Sequence, residues 1–295
     1  DSVIDVPAES QVHKQVIRKR AEVRDITMNP STRLYYVEVQ EPDMHEPSGD
    51  LERLISALRN EWDLPDLAIE FNVLSALQPV LRKGEWKVTC AVHMGDDLSG
   101  PRIIQIWPGF HDGALYGVAV DLGSTTIAAH LCDLKTGEVV ASSGLMNPQI
   151  RFGEDLMSRV SYSMMNAGGD KEMTLAVREG MNALFAEIAQ QAEIEIEQIV
   201  DAVFVCNPVM HHLFLGIDPF ELGQAPFALA TSDSMSLRAS DLDLELHPAA
   251  RLYMLPCIAG HVGADAAAVA LSEAPDQSDD LVLLVDVGTN AEIIL

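Results

Sequence analysis

The chain has 295 residues, of which 48% are apolar and 22% charged. These are the proportions of a globular protein, and at about 150 residues per domain the length predicts two domains. A formal charge of −26, from 19 basic and 45 acidic residues, repels phosphate backbones and anionic lipid, which argues against nucleic-acid and membrane-surface partners.

No apolar run approaches the ~20 residues of a membrane span, and the opening residues Asp1 to Pro7 carry neither the basic nor the apolar region of a leader. Residues 1–30 are polar and mixed in charge (VHKQVIRKRAEVRD) and read as a linker or edge extension. A β-rich stretch follows at 33–40. Leu51, Leu54, Ile55 and Leu58 predict a helix over 50–62, and a second short helix is expected at 73–82. Residues 86–94 and 102–107 read as strands. Together these make a small α+β domain over 31–112.

From Tyr116 onward the texture changes. Strands are predicted at 116–122, 126–133 and 138–146, with a tight turn at Lys135–Gly137 between the last two, an antiparallel meander. Helices follow at 153–165 and 172–192, the second striped by Val177, Met181, Leu184, Phe185 and Ile188. A buried-type strand covers 202–206. Asn207 and Pro208 then supply an N-cap and first-turn proline for a helix that Gly216 stops. A strand at 252–258, an Ala-rich helix at 263–272 and strands at 281–287 and 291–295 complete the pattern. The first residue is not Met and the last ones stop inside a strand pattern, so the sequence reads as part of a longer protein. The four cysteines, Cys90, Cys132, Cys206 and Cys257, form no CxxC pair, and three lie in apolar runs. They read as reduced core thiols of a cytoplasmic protein.

The chemistry is expected at two turns. In Val118–Thr126 a strand delivers Asp121, then Gly123 and the hydroxyl residues Ser124, Thr125 and Thr126, and a second strand leaves. Glycine lets the backbone approach an anion, and successive N–H groups and hydroxyls can donate to phosphate oxygens. Asp121 makes sense beside phosphate when a Mg²⁺ lies between them, directly or through water. The device recurs at Leu284–Asn290, with Asp286, Gly288, Thr289 and Asn290. Two such hairpins can clamp one polyphosphate from both sides.

The pair resembles the phosphate-1 and phosphate-2 turns of the ASKHA superfamily, and the surrounding residues narrow the likeness. Asn147-Pro148-Gln149, followed by Phe152-Gly153-Glu154-Asp155-Leu156-Met157-Ser158-Arg159-Val160, is similar to the NPQ…GxDVxSRI segment of RACo-like reductive activators of corrinoid proteins. Residues 207–219 resemble their N-x-x-M-x-H-L-x-L-G-I-D-P, residues 256–265 their P-x-I-x-G-x-V-G-A-D, and the last stretch their D-I-G-T-N-G-E-I. The likeness is dense over 116–295 and weak over 31–109. The implied fold class is α/β and α+β: a ribonuclease H-like ASKHA ATPase domain over 113–295, incomplete at the C-terminus, preceded by the small α+β middle domain.

The resemblance implies an ATP-dependent activator that returns a corrinoid protein from Co(II) to Co(I). The electron would come from a [2Fe–2S] cluster in an N-terminal domain whose closely spaced cysteines are not in this sequence. Asp121 and Asp286 would organise Mg²⁺ and water. Gly123, Ser124, Thr125, Thr126, Gly288, Thr289 and Asn290 would bind the phosphates of ATP. The expected partner is a corrinoid-binding methyl-transfer protein, with no nucleic acid or membrane, and a homodimer is admitted.

Other residues leave alternatives open. Asp155 and Arg159 can pair at i, i+4 or serve the cleft. Asp265 either favours a helix dipole or joins the metal as a third carboxylate. His211 and His212 can be core, surface or partner-facing, and Met164 and Met165 can be core filler or a docking surface. Two rival functions remain: an ASKHA small-molecule kinase with a substrate subdomain between the hairpins, and a non-enzymatic actin-like nucleotide switch.

Overall fold

The computed structural model describes residues 27–95, 100–277, 279–287 and 291–295. The first sheet has four strands, β1 (Thr32–Glu38), β2 (Ala68–Ile69), β3 (Lys87–His93) and β4 (Arg102–Pro108), in the order β1-β3-β4-β2. Strands β1, β3 and β4 are antiparallel neighbours, and β2 runs parallel to β4. Helices α1 (Asp50–Trp62) and α2 (Phe71–Lys83) cover one face. Leu54 and Leu58 of α1, and Val73, Leu77 and Leu81 of α2, recur at helical spacing and pack on Val37, Val88, Cys90 and Val92. Four-residue spacing stacks these side chains on one helix face, so each helix is held by the sheet it covers.

The second sheet has six strands, β5 (Tyr116–Leu122), β6 (Thr126–Asp133), β7 (Val139–Met146), β8 (Ile199–Cys206), β9 (Met235–Arg238) and β10 (Arg251–Met254), in the order β7-β6-β5-β8-β10-β9. Strands β5, β6 and β7 form the antiparallel meander, whereas β8 pairs parallel with both β5 and β10. An antiparallel meander continued by parallel strands is the ribonuclease H-like arrangement. Helices α3 (Leu156–Met165) and α4 (Gly169–Gln191) connect β7 to β8. Val118, Val120 and Leu122 of β5 and Phe204 of β8 bury against Val177, Met181, Leu184, Phe185 and Ile188 of α4. Phe204 meets Phe185 edge-on and stacks on Phe214 of α5 (Pro208–Leu215) at 4.7 Å between centroids. Helix α6 (Ala264–Glu273) and a two-stranded hairpin, β11 (Leu284–Val287) and β12 (Ala291–Ile294), follow. No helix among the described residues is long and apolar enough to cross a membrane.

Several elements differ from expectation. Helix α3 starts at Leu156 rather than 153, because Asn147 caps a short 3-10 turn over Pro148–Phe152 and Asp155 then takes the α3 N-cap. Strand β10 ends at Met254. Strand β9 was not foreseen; it is a four-residue edge element paired antiparallel with the next strand, β10.

The two sheets join through an apolar strip and a polar seam. Ala91 and Ile104 of the small sheet pack on Leu115, Val200 and Ala249. Beside them the buried Glu70 carboxylate accepts from Arg102 of its own sheet at 2.7 Å and from Arg251 of β10 at 3.4 Å, with Arg238 of β9 at 3.3 Å. Asp201 of β8 accepts from the Ser31 hydroxyl at 2.8 Å and lies 3.2 Å from His93 Nδ1.

Two buried histidines hold fixed tautomers. His212 Nδ1–H donates to the Pro208 carbonyl, so its Nε2 accepts from the Ala230 amide at 3.0 Å. His247 Nδ1 accepts from the Ala249 amide at 3.0 Å, which leaves Nε2–H to face Gln105 across the seam. His211 is 0% exposed, and neither ring nitrogen has a partner among the described residues. Burial, with His212 adding to it, pushes His211 down to about 4, and burial also lowers His212 and His247.

Each of these depressed histidines is neutral in the fold. The loss of stability therefore begins as the pH falls below about 6.5 and, for His211, is complete near 4. Urea unfolding at pH 7.5 and pH 5 should show a lower midpoint at pH 5, with His211 alone costing about 2 kcal/mol there. His211→Phe should flatten that dependence, and a midpoint that ignores pH would contradict the account. Glu70→Gln should cost about 3 kcal/mol at neutral pH, because it leaves buried guanidinium groups without their carboxylate; an unchanged urea midpoint would show that the seam contributes little.

Candidate functional site

Strand β5 delivers Asp121 to the start of a hairpin turn at Gly123–Thr125, and β6 leaves from Thr126. The Gly123 amide donates to the Thr126 carbonyl at 3.0 Å. A Cβ on Gly123 would stand 2.6 Å from that same carbonyl oxygen, so the turn closes only around glycine. The segment 147–159 then takes three successive carbonyls of the turn. Asn147 Nδ2 donates to Gly123 O at 2.8 Å, Arg159 Nη2 donates to Ser124 O, and the Asn147 amide donates to Thr125 O at 2.8 Å. In a trans peptide the carbonyl and the next N–H point in opposite directions. Holding the carbonyls of Gly123 and Ser124 toward this segment therefore turns the amides of Ser124 and Thr125 the other way, as an anion-binding turn requires.

Four carboxylates meet at the same end of the sheet. Asp265 lies in the first turn of α6 and accepts from the Ala266 amide at 2.9 Å. Burial raises its pKa, the amide opposes this, and the charges of Asp286 and Asp121 raise it further. Glu292 is raised first by burial and then by Asp265 and Asp286. Asp286 and Glu292 are register partners across the β11–β12 hairpin. The loop before α6 presses on the end of β8: a Cβ on Gly263 would lie 2.5 Å from the Cys206 carbonyl oxygen. Asp121 and Asp265 also raise the Cys206 thiol, after burial and Cys257.

The carboxyl ends of parallel strands are where open α/β sheets take their ligands. Oxygen-only donors suit Mg²⁺. Among the described residues no group of three or more His, Cys, Asp or Glu side chains is placed to hold an ion directly. Two cavities, of about 590 and 880 Å³, lie elsewhere, beside the joint between the sheets.

The structure thus brings together Asp121, Asp265 and Asp286 beside the Gly123–Thr126 turn. Gly288, Thr289 and Asn290 lie outside the described residues. Glu292, Asn147 and Gln149 were not singled out as site residues from sequence. The signal for Glu292 was its place opposite Asp286 on a hairpin, and for the other two the NPQ motif itself. Asp155 and Arg159 form no ion pair among the described residues. Asp155 Oδ1 accepts from the Ser158 amide at 2.7 Å as the α3 N-cap, and Arg159 turns inward. Met164 and Met165 are 50% and 77% exposed, so they are not core filler.

The family model described as "RACo middle region" matches residues 116–277, and the one described as "RACo linker region" matches residues 21–113. The segment labelled a middle domain from sequence therefore corresponds to the linker model. The corrinoid activation enzyme RamQ of Eubacterium limosum is 33% identical over 197 residues, which cover 66% of this chain and 33% of RamQ. The [Co(II) methylated amine-specific corrinoid protein] reductase of Methanosarcina barkeri is 25% identical over 198 residues, 61% of this chain and 34% of that protein. The solved structure of a reductive activator for a corrinoid, iron–sulfur protein superposes with a TM-score of 0.85 at 28% identity, over 98% of this chain and 47% of that one. The chain spans a third of the length of these curated relatives and about half of that solved chain.

Four carboxylates in one place repel one another, and the raised pKa of Asp265 means that its ionised form destabilises the fold as the pH rises above the usual carboxylate range. Asp265→Asn should therefore raise the urea midpoint at pH 7 in the absence of divalent cations. A lowered midpoint would mean that the carboxylate stabilises its surroundings instead.

Proposed function

The chain belongs to the RACo family, whose middle-region model covers more than half of it, and on that premise we propose that it is the ATP-hydrolysing part of a reductive activator that returns a corrinoid protein from Co(II) to Co(I). The observation that carries the reading is the turn at Gly123–Thr126, with its carbonyls held from behind and four carboxylates gathered in front. Amides of Ser124 and Thr125 and the hydroxyls of Ser124, Thr125 and Thr126 bind phosphate oxygens. Gly288, Thr289 and Asn290 do the same from the second turn. Asp121 and Asp286 would hold a Mg²⁺, directly or through water, and orient the attacking water, with Asp265 and Glu292 as further carboxylates beside them. Such an ion would supply positive charge for a triphosphate in so acidic a cleft, in a chain with few basic side chains. Backbone dipoles, already aimed, need no reorganisation as charge develops.

Hydrolysis converts ATP and water to ADP and phosphate. The corrinoid cobalt, as substrate, gains one electron. We assign that electron to a [2Fe–2S] cluster carried elsewhere in the full-length protein, because the four thiols here are free and, among the described residues, do not gather into a group that could hold one. Nucleotide binding biases closure around the turn, and closure changes the affinity for the corrinoid-binding partner by as much as the two states differ.

The test uses the full-length protein purified without oxygen. We expect the visible spectrum and iron content of about one [2Fe–2S] cluster per chain, and ATP-dependent reduction of a Co(II) corrinoid protein followed by its absorbance. An iron-free, colourless protein that hydrolyses ATP would move the assignment to a small-molecule kinase or a nucleotide switch. Asp121→Ala and Asp286→Ala should each lower ATP hydrolysis by about a hundredfold or more with an unchanged circular dichroism spectrum; full turnover in both variants would remove the nucleotide site from this cleft.

A further inference from the structure

We infer that Arg159 is a positioning residue for the phosphate turn: from behind the turn it fixes the direction of the Ser124–Thr125 peptide and places a permanent positive charge against it. The inference rests on the nucleotide reading above and adds to it the residue that organises the turn.

Arg159 is 0% exposed, and its guanidinium is spread over four acceptors. Nη2 donates to Ser124 O, Nε to Gly153 O at 3.0 Å, and Nη1 to Gln149 Oε1 at 3.3 Å and toward Met210 Sδ at 2.9 Å. None of these acceptors is a carboxylate. Asp155, the charge that favours its ionised form, is an exposed N-cap occupied by the Ser158 amide. A buried cation satisfied by neutral acceptors is a costly choice for a core position, which Met or Leu could fill at lower cost. Burial lowers the guanidinium only to about 10, so it remains charged at neutral pH.

The geometry shows what that cost achieves. The Ser124 carbonyl and the Thr125 amide are two ends of one planar unit. A charged donor on the carbonyl both locks that unit and polarises it, which strengthens the amide as a donor on the other side. Asn147 holds the preceding carbonyl, and Gln149, which touches Arg159, is itself anchored on Met173 O at 3.0 Å. The carboxylates in front repel a polyphosphate, whereas Arg159 attracts it from behind. Its forked shape is needed to reach Ser124, Gly153 and Gln149 together, which the single ammonium of Lys cannot do.

The experiment measures MgATP affinity and steady-state hydrolysis in the full-length protein, at a temperature well below each variant's melting point. Arg159→Met should raise the MgATP Kd and KM by about tenfold or more, the worth of a charge-assisted hydrogen bond, and Arg159→Lys should fall between it and the wild type. In Arg159→Ala, added methylguanidinium should recover part of the lost affinity, which a purely structural role would not allow. A folded Arg159→Met protein with Kd within about twofold of wild type would overturn the inference and leave the nucleotide reading standing. Should that variant not fold, Arg159→Lys decides alone: a lowered melting point with unchanged KM assigns Arg159 to packing. No MgATP binding by the wild type would overturn the nucleotide reading, and this inference with it.

Discussion

Three successive carbonyls, those of Gly123, Ser124 and Thr125, point into one segment of chain, 147–159, and the character of the site follows from that. A peptide unit is rigid, so the direction of a carbonyl decides the direction of the next amide. Hydrogen bonds that would otherwise belong to an ordinary hairpin turn are taken from behind by Asn147 and Arg159. The glycine at 123 removes the Cβ that would collide with the Thr126 carbonyl. The short 3-10 turn after β7 and the late start of α3 serve the same end, because they bring Arg159 under the turn rather than out to solvent beside Asp155.

Against this rear support stands an excess of negative charge in front. Asp121, Asp265, Asp286 and Glu292 come from β5, α6, β11 and β12, and burial first, then the neighbouring carboxylates, raises Asp265 and Glu292. A fold that keeps such a cluster gives up stability at neutral pH when no cation is bound. A divalent cation among these carboxylates would offset that repulsion.

The small sheet is joined to the six-stranded sheet by both kinds of contact. The apolar strip at Ala91, Ile104 and Val200 resists separation, and the Glu70 and Asp201 seams limit rotation about it. Strand β8 carries Asp201 near one end and Cys206, against the loop of Asp265, at the other. A fully paired strand is stiff, so the joint and the site are the two ends of one rigid element.

Much was legible in the sequence, for local reasons. Helical stripes such as Val177, Met181, Leu184 and Ile188, the capped start at Asn207-Pro208, the left-handed Gly216 stop and the two strand–Asp–Gly turns are set by side-chain period and glycine sterics within a few residues. Those signals singled out Asp121 and Asp286, and left Asp265 open between a helix-dipole position and a place beside the other carboxylates. What the sequence alone could not decide is where long side chains go once strands become neighbours. Arg159 is four residues from Asp155, and the local rule pairs them. Its actual acceptors, Ser124 O and Met210 Sδ, become near only when β5 and β8 pair in parallel and α5 folds back on them. The arginines around Glu70 have the same origin. Each depends on contacts between segments remote in the chain, and local periodicity carries no record of which remote segments will meet.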